Sequence, residues 1–423
     1  MAELIVQKYG GTSVGSIERI KRVAERIAEI RKSGKDVVAV VSAMAGKTDE
    51  LLTLAGEISD SPKQREMDLL LSSGERISCA LLTIALNAIG CEAVSLTGRQ
   101  IGLQTDNMHT RARIKQIDGK RCKRFLEKKQ VVVVAGFQGI NEHGDVTTLG
   151  RGGSDTSAVA LAVALGADQC EICTDVDGVF TADPRIVADA RKLDFISYDE
   201  MLEMSGLGAK VLQLRCVEFA KKYNMPLIVR SSYNNNPGTL ISREDPEMEQ
   251  SVVSGIMYDK NQAKITVKGL PDQPGVAAKL FNALAKASVS VDMIIQNISE
   301  EGHTDISFTV TTEHLKDAMV EVNKVDEEIK AEKISADASI SKISIVGAGM
   351  RSHSGIAALM FEALSREKIN ILMISTSEIK VSCIIDEKYT EQATRTLHSA
   401  FDLKTAPVES SGEINLDSKL KAL

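Results

Sequence analysis

Two kinds of hydrophobic pattern divide the chain. Up to about Ser242, short apolar runs alternate with helical stretches. The runs are LIVQKY (4–9), DVVAVVSA (36–43), EAVSL (92–96), VVVVAGF (131–137), EICTD (171–175) and PLIVRS (226–231). They are rich in Val and Ile and lack clean alternation, as expected of strands buried on both faces. Ser16–Lys32 places Ile17, Ile20, Val23, Ile27 and Ile30 on one stripe with charges opposite, which predicts an amphipathic helix ended by Gly34. Thr156–Leu165 predicts a second, Ala-rich helix suited to close packing. Strands alternating with helices imply an α/β domain around a largely parallel sheet.

From Arg243 to Gln262 the pattern lapses, and REDPEMEQSVVSG reads as a polar linker. An internal repeat follows, one copy from Ile265 and one from Ile343. Gly269 aligns with Gly347. With two residues inserted, Gly275 aligns with Gly355, Phe281 with Phe361 and Leu284 with Leu364. Each copy reads strand, glycine turn, amphipathic helix, strand, then an alternating strand (TDISFTV or KVSCIID) and a last helix. That is the βαββαβ order of a ferredoxin-like unit. The expected divisions are 1–242, a linker at 243–262, repeats at 263–339 and 340–403, and a polar tail at 404–423.

Composition narrows the classes. With 423 residues, 43% hydrophobic and 26% charged, the chain has material for several packed domains and is not a disordered one. No apolar run reaches the ~18–20 residues of a membrane span, and the start lacks the parts of a secretory signal, so no membrane partner is expected. A net charge of −7 without a dense Lys/Arg block, 4% aromatics and no Trp disfavour nucleic acid. The seven cysteines are scattered, as expected of free thiols in a reducing cytoplasm. Cys170 and Cys173, three apart on a strand, should face opposite sides. With no second pair, and no histidine cluster, no protein-held metal is expected.

Three segments after predicted strands could carry chemistry, since open α/β sheets bind ligands at the carboxyl ends of their strands. Lys8-Tyr9-Gly10-Gly11-Thr12-Ser13 leads into the first helix. Its glycines let backbone approach phosphates, the helix start favours anions, and Lys8 could neutralise a transferring phosphoryl group. The plain alternative is a tight turn with a surface lysine. Gly150-Arg151-Gly152-Gly153-Ser154-Asp155-Thr156 precedes the Ala-rich helix. Ser154 or Asp155 as an N-cap explains one residue of it; three glycines with an arginine suit a carboxylate or phosphate gripped by two bonds. Thr174-Asp175-Val176-Asp177-Gly178-Val179, with Asp183-Pro184-Arg185 behind it, suits a nucleotide or an indirectly held Mg²⁺, and equally an Asp-Gly turn. Two other patterns are discounted. Ser42–Thr48 looks like half a P-loop, but Val41 stands where the motif needs glycine. Gly347-Ala348-Gly349 lacks the third glycine of a dinucleotide fingerprint.

Taken together, KYGGTS (8–13), VSAM (41–44), SSGE (72–75), GRGGSDTSAVALA (150–162), TDVDGV (174–179), DPRIV (183–187) and GAKVL (208–212) resemble the aspartokinases of the amino acid kinase family. The repeat, with DQPG (272–275) and ISTSEI (374–379), resembles the tandem ACT domains of the same enzymes. The resemblance implies an αβα-sandwich kinase domain followed by two ferredoxin-like ACT domains. It implies transfer of the γ-phosphoryl group of ATP, with Mg²⁺ held mainly through the phosphates, to the side-chain carboxylate of L-aspartate. The product is 4-phospho-L-aspartate, at the first step of lysine, threonine and methionine biosynthesis. A carboxylate is already a nucleophile at neutral pH, so the absence of a histidine base fits. By the resemblance, Lys8 contacts the phosphates and Asp155 orients it, while Tyr9, Gly10, Gly11 and Ser42 line them. Arg151 grips the α-carboxylate of aspartate, with Gly152, Gly153 and Ser154 around it; Glu75 takes the α-amino group, and Thr48 belongs to the same substrate loop. Thr174, Asp175, Phe180, Asp183, Arg185 and Lys210 line the nucleotide. Two departures from the family pattern stand at Lys47, where a hydroxyl is usual, and at Phe180, where Tyr is common.

The resemblance also implies an amino-acid effector, lysine, threonine or both, bound between ACT domains. The matching positions are Asp272, Gly275, Val276, Ala277, Asp292 and Gln296 in the first copy, and Asn370, Ile371, Thr376 and Ser377 in the second. Ala277 and Ile371 read equally well as ordinary core. A homodimer through the ACT domains is expected, and an internal start at Met248 or Met257 would give a shorter ACT-only partner chain. Rival readings are a glutamate or acetylglutamate kinase, and a non-catalytic amino-acid sensor; the presence of Lys8, Glu75, Arg151 and Asp155 speaks against the sensor.

Overall fold

A computed structural model of the chain describes residues 2–208, 211–243, 252–298, 302–353 and 355–404. Each of the six apolar runs forms a strand of one eight-stranded sheet. In spatial order its strands are Phe195–Ser197, Thr239–Ser242, Leu227–Ser231, Gln169–Thr174, Leu4–Tyr9, Asp36–Val41, Val131–Ala135 and Ala93–Leu96. All neighbours are parallel except Thr239–Ser242 against Leu227–Ser231, so the two outermost strands at that edge run against the other six.

The unbroken apolar runs follow from burial on both faces. Val38, Val40, Val132 and Val134 enter one core with the helix Gly153–Leu165. Val37, Ala39, Val41, Val131 and Val133 enter another with the helices Ile17–Lys32 and Gln64–Ala88. Enclosing one such side chain stabilises the fold by about 1.5–3 kcal/mol. Cys170 and Cys173 fall in these two different cores, as their spacing predicts.

Ile17–Lys32 is capped by Ser16 and buries Ile20, Val23 and Ile27, while Ile17, ahead of the sheet, is exposed. The Ala-rich helix begins at Gly153, three residues earlier than its composition suggests, and is buried almost all round. Gln64–Ala88 is long and apolar enough to cross a membrane, but half of that stretch is buried inside the fold, and its inward face carries Asp68, Ser72, Glu75 and Ser78. A small second sheet, Ile114–Ile117, Leu103–Thr105, Gln138–Ile140 and Val146–Thr148, flanks the loops 106–113 and 149–152.

The repeat forms one antiparallel six-stranded sheet, in order Val291–Ile298, His303–Val310, Gly255–Pro271, Lys333–Val346, Lys380–Asp386 and Met373–Ser377. Helices Val276–Lys286 and Leu315–Ile329 cover the first copy, Ile356–Arg366 and Thr390–Ala400 the second. The expected linker needs correcting. The strand Gly255–Pro271 begins inside it, and Gly255–Asp259 pairs with Lys342–Val346 of the second copy. The second copy's fourth strand, the last element of its βαββαβ order, therefore comes from ahead of the first copy, which is inserted into it. The charges of REDPEMEQ mask this, because Val253, Ile256 and Met257 just beyond them are buried. The sheet also folds over itself: Met293 and Ile295 on one edge pack with Ile340, Met373 and Ile384 of the other half.

Candidate active site

The site forms where three loops meet at the carboxyl ends of the central strands. Lys8 leaves the strand Leu4–Tyr9 on the face opposite Gln7 and Tyr9, and its Nζ lies 2.6 Å from Asp155 Oδ1. Both side chains are largely buried, so the pair is poorly screened and strongly oriented. Gly10 donates its N–H to Cys173 O (3.3 Å) and lies close beside the Lys8 ammonium. A Cβ on Gly11 would sit 2.9 Å from Ala43 O. Gly11 O accepts the Ala45 N–H (3.1 Å) and Tyr9 O the Ser42 N–H (3.1 Å), which stitches the lysine loop to residues 42–46. Lys47 starts the next helix and pairs with Glu50 (2.8 Å), so its charge is taken up within that helix. Thr48 is half-buried in the helix's first turn.

Gln64–Ala88 brings Glu75 beneath this loop. Gly74 lets the helix close on Ala43, where a Cβ would stand 2.8 Å from the alanine methyl. Glu75 Oε1 accepts the Ala43 N–H (3.1 Å), while Oε2 is buried without a hydrogen-bond partner. Burial pushes the Glu75 carboxyl up to about 7. A buried oxygen left unpaired is costly, and this one is an acceptor awaiting a donor.

The loop 150–153 needs its glycines. Gly150 and Gly152 have φ of 80° and 67°, and a Cβ on Gly152 would lie 1.8 Å from Gln213 Cγ. A Cβ on Gly153 would lie 2.8 Å from Leu149 Cβ and 2.9 Å from Phe137 Cδ2. The N-cap position is Gly152, without a side-chain bond, so neither Ser154 nor Asp155 caps the helix. Asp155 turns to Lys8 instead, and Ser154 is buried against Gly136. Arg151 is exposed and has no ion pair or hydrogen bond to the described residues.

On the neighbouring strand end, Thr174 donates to Asp175 (3.2 Å), and Asp177 is held by Asn234 (2.8 Å) and Asn236 (3.2 Å). Phe180 is half-buried and bridges to Lys192 through backbone. Asp183 and Arg185 pair with each other (2.7 Å) at the border with the repeat, where Tyr258 OH also donates to Asp183 (3.1 Å). The hydrogen bonds from Arg185 hold the Asp183 carboxyl below its ordinary value. Lys210 lies outside the described residues. Contacts thus link Lys8, Gly10, Gly11, Ser42, Glu75 and Asp155 into one site, whereas Asp183 and Arg185 satisfy one another. Sequence reasoning missed Asp68, which shares the inward face of Gln64–Ala88 with Glu75 seven residues on; that spacing is the signal that could have found it.

In the repeat, Gly275 (φ 99°) caps the helix Val276–Lys286. Val276 and Ala277 pack on the first core and Ile371 on the second. Asp292 pairs with the buried Lys342 across the folded sheet. Asp272, Gln296, Asn370, Thr376 and Ser377 are exposed, and Gln296, Thr376 and Ser377 stand on the two edge strands.

An ammonium paired with a helix-start carboxylate and flanked by a glycine loop has the chemistry to face a phosphate group. The chain belongs to the amino acid kinase family, which it matches over residues 3–231, and it matches the ACT domain over 265–325 and 343–401. Over nearly its whole length its relatives are aspartate kinases. The aspartate kinase of Pseudomonas putida is 54% identical over 401 residues, 95% of this chain and 98% of that one. The aspartokinase of Mycolicibacterium smegmatis is 53% identical over 405 residues, 95% of this chain and 96% of that one. Among solved structures, E. coli aspartokinase III in complex with aspartate and ADP superposes with a TM-score of 0.79 at 25% identity, covering 94% of this chain and 99% of that one.

Proposed function

We propose that this chain transfers the γ-phosphoryl group of ATP to the side-chain carboxylate of L-aspartate, under feedback control by an amino acid at its ACT domains. The observation that carries the reading is the orphaned Glu75 oxygen beneath the loop that adjoins Lys8. It supplies a buried anionic acceptor suited to an α-ammonium group, with the exposed Arg151 free to take the α-carboxylate.

In the reaction an oxygen of the aspartate side chain forms a bond to the γ-phosphorus, and the bond to the oxygen bridging to ADP breaks. The attacking group is already ionised, so no base is needed, and catalysis rests on positioning and charge neutralisation. Lys8 faces the developing negative charge, Asp155 holds its ammonium in place, and Gly10 and Gly11 leave room for phosphate oxygens. Mg²⁺ arrives with the nucleotide and offsets phosphate charge. Thr174, Asp175 and Phe180 border the nucleotide, with Lys210 assigned there by resemblance alone. Lysine or threonine, or both, would bind along the exposed edge strands that carry Gln296 and Thr376. Such edges are templates for pairing with a second copy, which supports a dimer through the ACT domains. The free thiols favour the cytoplasm.

Purified protein should form an acyl phosphate from aspartate and ATP, trapped by hydroxylamine; no trapped product with aspartate overturns the reading. Because the Glu75 carboxyl is raised to about 7 by burial, the ionised form needed to bind an ammonium declines as pH falls below that value. The KM for aspartate should therefore rise on acidification through pH 7, and Glu75→Gln should raise KM and abolish this dependence.

A further inference from the structure

We propose that Asp68, held by His109, is a positioning residue that sets the Arg151 loop at its working distance from Glu75. The inference rests on the reading of Arg151 and Glu75 as the two grips on the substrate amino acid. Asp68 is fully buried on Gln64–Ala88. Its carboxylate accepts the Thr110 N–H on both oxygens (3.0 and 3.1 Å), the Thr148 hydroxyl on Oδ1 (2.5 Å), and His109 Nδ1–H on Oδ2 (2.6 Å). A buried carboxylate is retained only when its oxygens are bonded this fully.

The donors come from the loop 109–110 and from Thr148 at the end of the strand Val146–Thr148, and further bonds join these two segments. Ala112 N–H donates to Thr148 O (2.9 Å), and the Arg215 guanidinium bonds both Leu149 O (2.7 Å) and Ala112 O (3.1 Å). Gly150 passes so close to Thr110 O that a Cβ there would stand 3.1 Å away. Thr110 itself has φ 67°, a conformation β-branched residues avoid. It persists because both Asp68 oxygens hold its N–H. Asp68 thus fixes the strand end from which Arg151 emerges.

Glu75 lies two helical turns along the same face, fastened to the lysine loop through Ala43. One continuous helix therefore carries both anchors. The ammonium grip and the carboxylate grip are referenced to a common rigid element, although they lie on different loops. Loosening the Asp68 end should misplace Arg151 while leaving Lys8 and the phosphate loop where they are.

The test is steady-state kinetics of the full chain. Asp68→Asn should raise the KM for aspartate at least tenfold, with the KM for ATP within about twofold. His109→Ala should raise it in the same direction, and His109→Asn, whose amide can donate in place of Nδ1, should restore most of it. If Asp68→Asn does not fold, Thr148→Val and the His109 pair carry the test. A merely structural role predicts lower kcat through lost active protein, with both KM values unchanged, and that result overturns the proposal. So does failure of His109→Asn to rescue. A wild type inactive on aspartate overturns the underlying reading, and this inference with it. An active wild type whose Arg151→Ala variant loses aspartate affinity, while Asp68→Asn does not, overturns only this one.

Discussion

The two ACT modules have the same elements but not the same kind of core. The first is closed by its own residues, from Ala263 to Ile334. The second is completed by the kinase: Ala182 and Val187, with Ile186 and Ala190 beside them, pack among Ile343, Ile345, Met360 and Leu397. Polar bonds reinforce that joint. Ile256 N–H donates to Thr181 O (2.7 Å), Arg395 to Ile186 O (3.0 Å), and buried Glu200 accepts from Ser254 (2.5 Å) and the Ala348 N–H (3.0 Å). The segment so captured continues directly from TDVDGVF, the candidate nucleotide border. Among the described residues the first module's core holds no kinase side chain, whereas the second's holds Ala182 and Val187. A signal passes between sites only through an element whose state both ends bias, and residues 179–191 are placed to be that element.

The largest effects should separate stability from catalysis. Leu280→Ala opens a cavity in the first core and should lower unfolding free energy by about 2–5 kcal/mol, leaving the KM for ATP unchanged without effector. Val187→Ala removes fewer atoms and should lower stability by about 1–3 kcal/mol, yet it should raise the KM for ATP severalfold. Denaturant unfolding beside ATP titration reads both. Equal changes in KM for the two variants would mean that the modules do not differ in their hold on the kinase.

A smaller effect is expected at Tyr258, whose hydroxyl donates to Asp183 across the joint. Tyr258→Phe removes one part-buried bond, about 0.5–1.5 kcal/mol. It also leaves Asp183 to Arg185 alone, and Arg185 is largely exposed. Inhibition by the effector should weaken in this variant while uninhibited kcat holds. An unchanged inhibition curve would take Tyr258 out of the coupling.

How far the residues announced all this depends on whether a contact is local. The kinase strands were readable because burial on both faces leaves unbroken Val and Ile runs. The helix Ile17–Lys32 was readable because one face meets a sheet and the other meets water. Phe195–Ser197 and Thr239–Ser242 escaped because three or four residues at a sheet edge carry too little pattern. The insertion of one module into the other escaped because a pattern shows a strand but not its partner. In the site, the motifs pointed to Lys8, Glu75 and Arg151. That Asp183 is spent on Arg185, Asp292 on Lys342 and Lys47 on Glu50 depends on the folded positions of long side chains.

The smallest expected effect probes the joint by pH. His398, buried on Thr390–Ala400, bonds Thr181 Oγ1 through Nε2 (3.0 Å). The Thr181 oxygen already accepts the Arg191 N–H (2.9 Å), so its own proton is free to point at the imidazole. Burial holds the His398 pKa below the ordinary 6.5, with Arg191 acting in the same direction and Asp189 against it. The unfolded chain therefore binds the proton more readily than the folded one. Stability from this group is complete above about pH 6.5 and declines as pH falls through the lower folded value. Thermal unfolding of the wild type should lose stability faster on acidification than that of His398→Gln, whose amide can still bond Thr181 but cannot take up a proton. Parallel curves for His398→Gln and wild type would mean that the joint is held by its apolar core alone.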